Sequence, residues 1–215
     1  MTAVLGLDTS TVVVAGLAVA GRAPLTAVVD DTRAHAEELM PLVRQLLASA
    51  ALTPGDLTGI VVGVGPGPFT GLRVGVVTAL TLGEVLGVGV HGVCSLDVVA
   101  AQWAGSGAPD EFVVVSDARR KEVYWAHYAR GVRVDGPHVS PADRVPPLPL
   151  GGPGAHLVGE PSGPTVLDAA TLVARGLDLP DAGREPLYLR RPDAEVPGAP
   201  KSALPQARLG FGRRP

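Results

Sequence analysis

The stretch Gly63-Val64-Gly65-Pro66-Gly67-Pro68-Phe69-Thr70-Gly71-Leu72-Arg73-Val74-Gly75 constrains this chain more than any other. It follows the run Ile60 to Val64, which is apolar without alternation and so reads as a strand buried on both faces. Gly65, Gly67 and Gly71 admit a positive φ or a close backbone approach. Pro66 and Pro68 fix φ and stiffen the turn. Thr70 stands where an N-cap would open the next helix. A glycine-rich turn between a strand and a helix can seat an anion, because free N–H groups and the helix dipole point the same way. Two nucleotide motifs are nevertheless excluded. No lysine follows at P-loop spacing, and Gly71 falls one residue late for the dinucleotide fingerprint. A tight connection and an anion seat both remain open.

The helix expected from Gly71 to Gly87 carries only two charges, Arg73 and Glu84. Leu72, Val76, Ala79, Leu80 and Leu86 make one apolar face; Val74, Val77, Thr81 and Val85 make another. A helix apolar all round is expected to be buried all round, by its own sheet on one side and by a second lobe or a partner on the other. The apolar run Val74 to Val90 is interrupted by Glu84 and several glycines, so it reads as helix plus strand rather than a membrane span.

Totals narrow the classes. With 215 residues, 46% of them hydrophobic and 18% charged, the chain is globular. A net charge of −3 lacks the basic surplus of a stand-alone nucleic-acid binder, so any RNA role would depend on a partner. The single cysteine, Cys94, excludes an internal disulfide and fits a cytoplasmic location. The opening Met1-Thr2-Ala3-Val4 has no basic n-region, so no signal peptide is expected.

In order, Val4 to Leu7 reads as a strand ending on Asp8, with Val12 to Ala20 and Leu25 to Asp30 completing an antiparallel meander. Leu39, Leu42, Val43, Leu46, Leu47 and Ala50 keep the spacing of one helical face. Val88 to Val93 is a strand, and Ser95 is expected to cap a helix running to Trp103. Gly105 to Pro109 reads as a linker. Beyond it, Phe112 to Ser116 is a strand ending on Asp117, then comes the turn Ala118-Arg119-Arg120-Lys121, then a strand from Val123 to Tyr128. Two strand–Asp–turn–strand units head two halves: residues 1–104, and a smaller lobe over 105–190. Gly136 to Pro164 is expected to be loop, Thr165 to Leu177 a helix capped near Thr165, and 191–215 a tail.

Six segments resemble one family in order: Leu5-Gly6-Leu7-Asp8-Thr9-Ser10-Thr11, His35-Ala36-Glu37-Glu38-Leu39-Met40-Pro41, Gly65 to Gly75, Ser95-Leu96, Asp117 to Tyr124, and Pro186-Leu187-Tyr188-Leu189-Arg190. The family is the bacterial TsaB family of tRNA threonylcarbamoyladenosine biosynthesis proteins, also described as glycoprotease-like; Pro68 stands where its motif often has Ser. The resemblance implies an α/β fold of two ribonuclease-H-like lobes, as in actin, Hsp70 and sugar kinases, with mixed sheets flanked by helices. It implies a non-catalytic subunit paired with a paralogous catalytic transferase, acting with a P-loop ATPase on the tRNA adenosine beside the anticodon; a homodimer and a monomer are both open for the chain alone. The pairing surface it implies is the two helices of the first lobe, here His35, Leu39, Leu42, Leu46, Arg73, Val77, Leu80 and Glu84.

No catalytic or metal residues are expected. The catalytic paralogue holds its metal with a His-x-x-x-His pair, and the matching region here reads Cys94-Ser95-Leu96-Asp97-Val98-Val99. His35-x-x-Glu38 reads as a solvated or interface pair, and Cys94 with His91 as a small buried cysteine after a strand. Asp8 and Asp117 occupy the places where kinases of this fold position Mg-nucleotide. Contacts to a nucleotide, a phosphate or the subunit boundary are therefore expected from Asp8, Thr9, Ser10, Gly65, Gly67, Phe69, Thr70, Asp117, Arg119 and Arg120. No cofactor is expected to bind firmly to this chain alone; ATP or ADP with Mg would sit at the boundary between subunits. A stand-alone phosphotransferase of the sugar-kinase type is the runner-up reading, and an M22-type peptidase the third.

Overall fold

The structure, a computed structural model, describes residues 2–29 and 35–190, with backbone only for His35, Ala36 and Glu37. The end of the meander at Asp30, the side chain of His35 and the tail 191–215 lie outside the described residues.

Nine strands and four α-helices are present among the described residues. The first sheet contains β1 (Ala3–Asp8), β2 (Val13–Val19), β3 (Leu25–Val29), β4 (Gly59–Gly63) and β5 (Val90–Val93), in the order β3-β2-β1-β4-β5. β1, β2 and β3 form the expected antiparallel meander, and β4 and β5 add in parallel beside β1. The second sheet contains β6 (Glu111–Arg119), β7 (Glu122–Ala129), β8 (Val132–Pro141) and β9 (Leu150–Gly151), in the order β8-β7-β6-β9. β9 runs parallel to β6 as β4 does to β1, so each sheet repeats one plan: a hairpin with an aspartate near the end of its first strand, flanked by a parallel strand that leaves through a Gly/Pro loop; β1 ends on Asp8, whereas β6 runs past the expected end at Asp117 to Arg119, with an irregularity between the two. This is the two-lobed ribonuclease-H-like class expected from the sequence.

The helices are α1 (His35–Ser49), α2 (Phe69–Leu86), α3 (Ser95–Gly105) and α4 (Ala169–Arg175). α1 and α2 cover one face of the first sheet, burying Leu39, Leu42, Val43, Leu46 and Leu47 against Leu5, Leu7, Ile60 and Val62. α3 and α4 fill the space between the sheets with Leu96, Val99, Trp103 and Leu172, where Trp103, Phe112 and Tyr128 stack in series. α4 lies on β1 and β2 where Gly6 faces Gly16 across the ladder. A Cβ on Gly16 would come within 2.7 Å of the Ala169 carbonyl oxygen, so this cross-strand glycine pair is what lets the helix approach.

Local expectations are corrected in four places. β8 occupies the start of the expected loop region; its ladder is bulged at Gly136-Pro137, which breaks the alternation, and an edge strand tolerates the proline. α4 is shorter than Thr165 to Leu177, because Asp168 caps it by accepting from Ala170 N (3.1 Å) and Thr171 N (2.9 Å). α2 begins at Phe69, with Pro68 at the N-cap position, so Thr70 is an exposed second residue and not a cap. Ser95 is the first residue of α3, and its hydroxyl turns away from the helix.

Candidate functional site: a sealed aspartate, an outward helix face and an interlobe cleft

The glycine-rich loop is folded down onto the first hairpin. Asp8 is 1% exposed. Its Oδ1 accepts from the backbone N–H of Ser10 (2.8 Å) and from the Ser10 hydroxyl (2.7 Å). Its Oδ2 accepts from the Ser95 hydroxyl (2.6 Å), which itself accepts from Gly65 N (3.1 Å). The Ser95 N–H donates to the Gly65 carbonyl (2.7 Å), closing a ring between the loop and α3. Burial raises the Asp8 carboxyl above its ordinary range, and the hydrogen bonds from Ser10 and Ser95 offset part of that rise. Gly65 takes φ +102°, and a Cβ on Gly67 would press into the Ser10 backbone at 2.5 Å from its carbonyl oxygen. Both glycines are required by geometry, one by conformation and one by space.

Thr9 works on the helix. Its hydroxyl donates to Gly71 O (2.7 Å) and accepts from Gly75 N (3.1 Å). Gly71, Gly75, Ala79 and Gly83 form a stripe of small residues four apart, and this is the face α2 turns to the sheet. The expectation of a helix buried all round is therefore corrected. Its inner face joins this small-residue stripe to the buried Leu72 and Val76, while Val77 and Val85 point outward, 58% and 76% exposed. Arg73 and Glu84 share this outward side, and Leu80 is half-buried at its edge. Leu39, Leu42 and Leu46 are corrected in the opposite sense. α1 turns them into the lobe's own core, so they offer no surface, and the exposed side of α1 is Glu38, Pro41, Arg44, Gln45, Ala48 and Ser49.

The segment Leu187 to Arg190 straps the two lobes together. Tyr188 stacks on Phe69 (4.8 Å between ring centroids), its hydroxyl accepts from Arg73 Nε (3.1 Å), and the Arg73 guanidinium lies 4.4 Å from the Phe69 centroid. Arg190 reaches the other lobe, donating to Ala118 O (2.8 Å) and pairing with Glu122 Oε2 (3.4 Å). That hairpin turn is unusual, since Arg119, Arg120 and Lys121 all have positive φ, at 65°, 53° and 65°.

The sequence-named contacts thus fall into two sets. Asp8, Thr9, Ser10, Gly65 and Gly67 come together but are buried, and the side-chain oxygens of Asp8, Thr9 and Ser10 are engaged in hydrogen bonds within the protein. Asp117 and Arg119 face a cleft of about 180 Å³ with Ser10, Thr11, Pro68, Pro153 and His156. Phe69 and Thr70 stand at the start of α2, and Arg120 sits at the hairpin tip. Ser95, expected as a helix cap, bonds Asp8 instead, while Tyr188 and Arg190 belong to a motif whose local pattern does not reveal that it joins the lobes. Pro153 and His156 carry no sequence signal, because only the fold brings them to the cleft, and Ser116 lines a separate narrow crevice.

Cys94 and His91 do not meet as nucleophile and base. Cys94 is buried, its thiol pushed up to about 12 by burial and by the neighbouring Asp97, while His91 Nε2 lies 3.1 Å from Leu179 O. Asp97 instead accepts from the Tyr128 hydroxyl (2.7 Å) and pairs with Arg133 (3.5 Å), joining α3 to β7 and β8. Among the described residues no group of three or more His, Cys, Asp or Glu could hold a metal ion. Nor does Asp8 fit a magnesium-nucleotide role in this arrangement, since neither of its oxygens is open.

Comparison with known proteins agrees with this architecture. Residues 5–144 match a family described as TsaD, tRNA N6-adenosine threonylcarbamoyltransferase. A Mycobacterium tuberculosis protein described as uncharacterized is 48% identical over 174 residues, which is 77% of this chain and 79% of that protein. The tRNA threonylcarbamoyladenosine biosynthesis protein TsaB of Escherichia coli is 34% identical over 99 residues, 46% of this chain and 42% of that one. The structure of YeaZ from Pseudomonas aeruginosa superposes with a TM-score of 0.73 at 28% identity, covering 88% of this chain and all of that one. The chain belongs to the TsaB-like, glycoprotease-like family.

Proposed function

We propose that this chain is a cytoplasmic, non-catalytic subunit of a tRNA threonylcarbamoyladenosine synthesis complex. It pairs through α2 with a paralogous catalytic transferase, acts together with a P-loop ATPase, and meets tRNA only through the assembled complex. The observation that carries this reading is the outward face of α2. Val77 and Val85 are 58% and 76% exposed on a helix with only two charges. Leaving such side chains in water forgoes on the order of 1.5 kcal/mol each, and a partner helix presenting a matching apolar face would recover it. Family membership supports the place in threonylcarbamoyladenosine synthesis. The sealed Asp8 supports the non-catalytic role, because a kinase-type mechanism needs that carboxylate facing its nucleotide. On this reading ATP or ADP with Mg belongs at the subunit boundary near Phe69 and Arg73, and a homodimer forms through the same α2 face when the partner is absent.

The test is co-purification with the paralogous transferase, followed by a threonylcarbamoyl-transfer assay with and without this chain. The chain alone should turn over no ATP and bind tRNA weakly. ATP-dependent phosphorylation of a small molecule by the purified chain at ordinary enzyme rates would refute the subunit reading.

A further inference from the structure

We propose that an open groove at the C-terminal end of α2 seats the chain's own residues 208–213, and that this segment covers the pairing face until the transferase displaces it. The second half of the proposal rests on the pairing role given to α2 above; the first half does not. The groove has a volume of about 710 Å³, and its walls are Leu80, Glu84 and Val85 of α2, Val88 and Val90 beyond it, and Arg184. A hollow of that size takes several side chains at once. Residues 208–213 lie outside the described residues; the groove, the exit point of the chain and the sequence together single them out.

The groove is apolar with a negative end. Leu80, Val88 and Val90 are half-buried, and Val85 is 76% exposed. The last turn of α2 carries Glu84 and no basic residue. The last carbonyls of a helix lack helical partners, so the dipole adds negative charge at the same place. Arg184 on the groove wall offsets part of it. Such a surface fits a short apolar segment with basic residues at its flanks.

One stretch of this chain has that composition. Residues 201–215 contain Lys201, Arg208, Arg213 and Arg214 and no acidic residue. Within them Leu209 and Phe211 stand two apart, so an extended backbone turns both to one side, and Arg208 and Arg213 flank them to meet Glu84. The reach is sufficient. The described chain ends at Arg190, two residues after Tyr188 packs on Phe69 and Arg73 at the N-terminal end of α2. The groove lies about one helix length away, roughly 27 Å for the 18 residues of α2. Residues 191–207 span up to about 56 Å when extended, so the segment arrives with slack. Tethering holds it near the groove at an effective concentration on the order of millimolar, which lets a weak contact fill the seat.

The test uses the full chain and begins with disulfide trapping. Cys94 is buried and does not compete, so Thr81→Cys, in the groove wall, is combined with Gly212→Cys. Val132→Cys with Gly212→Cys is the reference, because Val132 is 66% exposed on β8 of the other sheet. Under mild oxidation the Thr81 pair should close within one chain about tenfold faster or more than the Val132 pair. Adding Phe211→Asp should slow it to the reference rate. Equal rates for the two pairs would overturn the proposal. Disulfides formed between chains rather than within them would overturn it in favour of a second copy's segment in the groove. In the second arm, Phe211→Asp alone is titrated against the transferase beside the wild type, with thermal midpoints reporting that both are folded. Affinity should rise about three- to tenfold, the gain expected when a seat filled roughly two-thirds to nine-tenths of the time is vacated. Unchanged affinity would overturn the covering role. If neither chain binds the transferase while the Thr81 pair still closes, the pairing role falls and the seat stands.

Discussion

Ser95 Oγ donates a 2.6 Å hydrogen bond to Asp8 Oδ2 across 87 positions of sequence, and that bond shuts the first lobe's aspartate away from any ligand. The carboxylate keeps three donors and loses water. A buried carboxyl with a raised pKa binds its proton more tightly folded than unfolded. Between the unfolded value near 3.8 and the higher folded value, the native state holds more protons, so stability falls as pH rises through that window. Asp8→Asn removes the titration. Compared by thermal or urea unfolding from about pH 4 to pH 8, the wild type should lose stability relative to the variant as pH rises. Parallel profiles would show that Asp8 does not titrate against burial.

Asp8→Ala should behave differently. It strands the Ser10 N–H and hydroxyl and the Ser95 hydroxyl in the core. Unpaired buried donors cost about 1 to 3 kcal/mol each at most sites, so a loss of about 2 kcal/mol or more is expected by denaturant unfolding. A neutral outcome would mean that the network contributes nothing.

At Gly75, α2 packs against Thr9, the residue that follows β1. A Cβ there would collide with Thr9 Oγ1, the atom that bonds the helix at Gly71 and Gly75. Gly75→Ala should destabilise the chain by about 1 to 3 kcal/mol through overpacking, despite alanine's better helix propensity. Thr9→Ala removes the obstacle, so the double variant should lose less than the sum of the singles. Additive losses would contradict a direct Thr9–Gly75 contact.

The hairpin tip stores strain that glycine would release. Lys121 has φ 65° and is exposed. Lys121→Gly should stabilise by about 0.5 to 1 kcal/mol, the left-handed penalty less the added freedom of the unfolded chain. A lower thermal midpoint would mean that the lysine side chain makes a contact worth more than the strain.

How far the sequence speaks can be judged residue by residue. Asp8 and Asp117 each end an apolar run and precede a polar turn, so both hairpins and the two-lobed plan are readable from local pattern. The direction in which Asp8 points is not, because it depends on a serine in another helix. α2 is readable as a helix with too many aliphatics. The face with Leu72, Val76 and Ala79 meets the sheet and the face with Val77 and Val85 does not, but both are apolar, so periodicity alone does not say which is the outward one. For the same reason Leu39, Leu42 and Leu46 look like either core or interface until the sheet is seen beneath them. The Ser116 crevice has no local signature, since the turn at Ser10 and Thr11, Pro66, α3, β6, Pro153 and Leu167 build it from six separate stretches.

If α2 pairs outward while α1 serves the core, charged substitutions on the two helices should fail in different ways. Val77→Arg and Leu46→Arg are each co-expressed with the paralogous transferase, and recovery of the complex is measured beside the thermal midpoint of the chain alone. Val77 is 58% exposed and Leu46 is 4% exposed. Val77→Arg should keep a wild-type midpoint and lose the complex and its threonylcarbamoyl transfer, whereas Leu46→Arg should fail to fold. A Val77→Arg chain that still assembles and supports transfer at the wild-type level would contradict it.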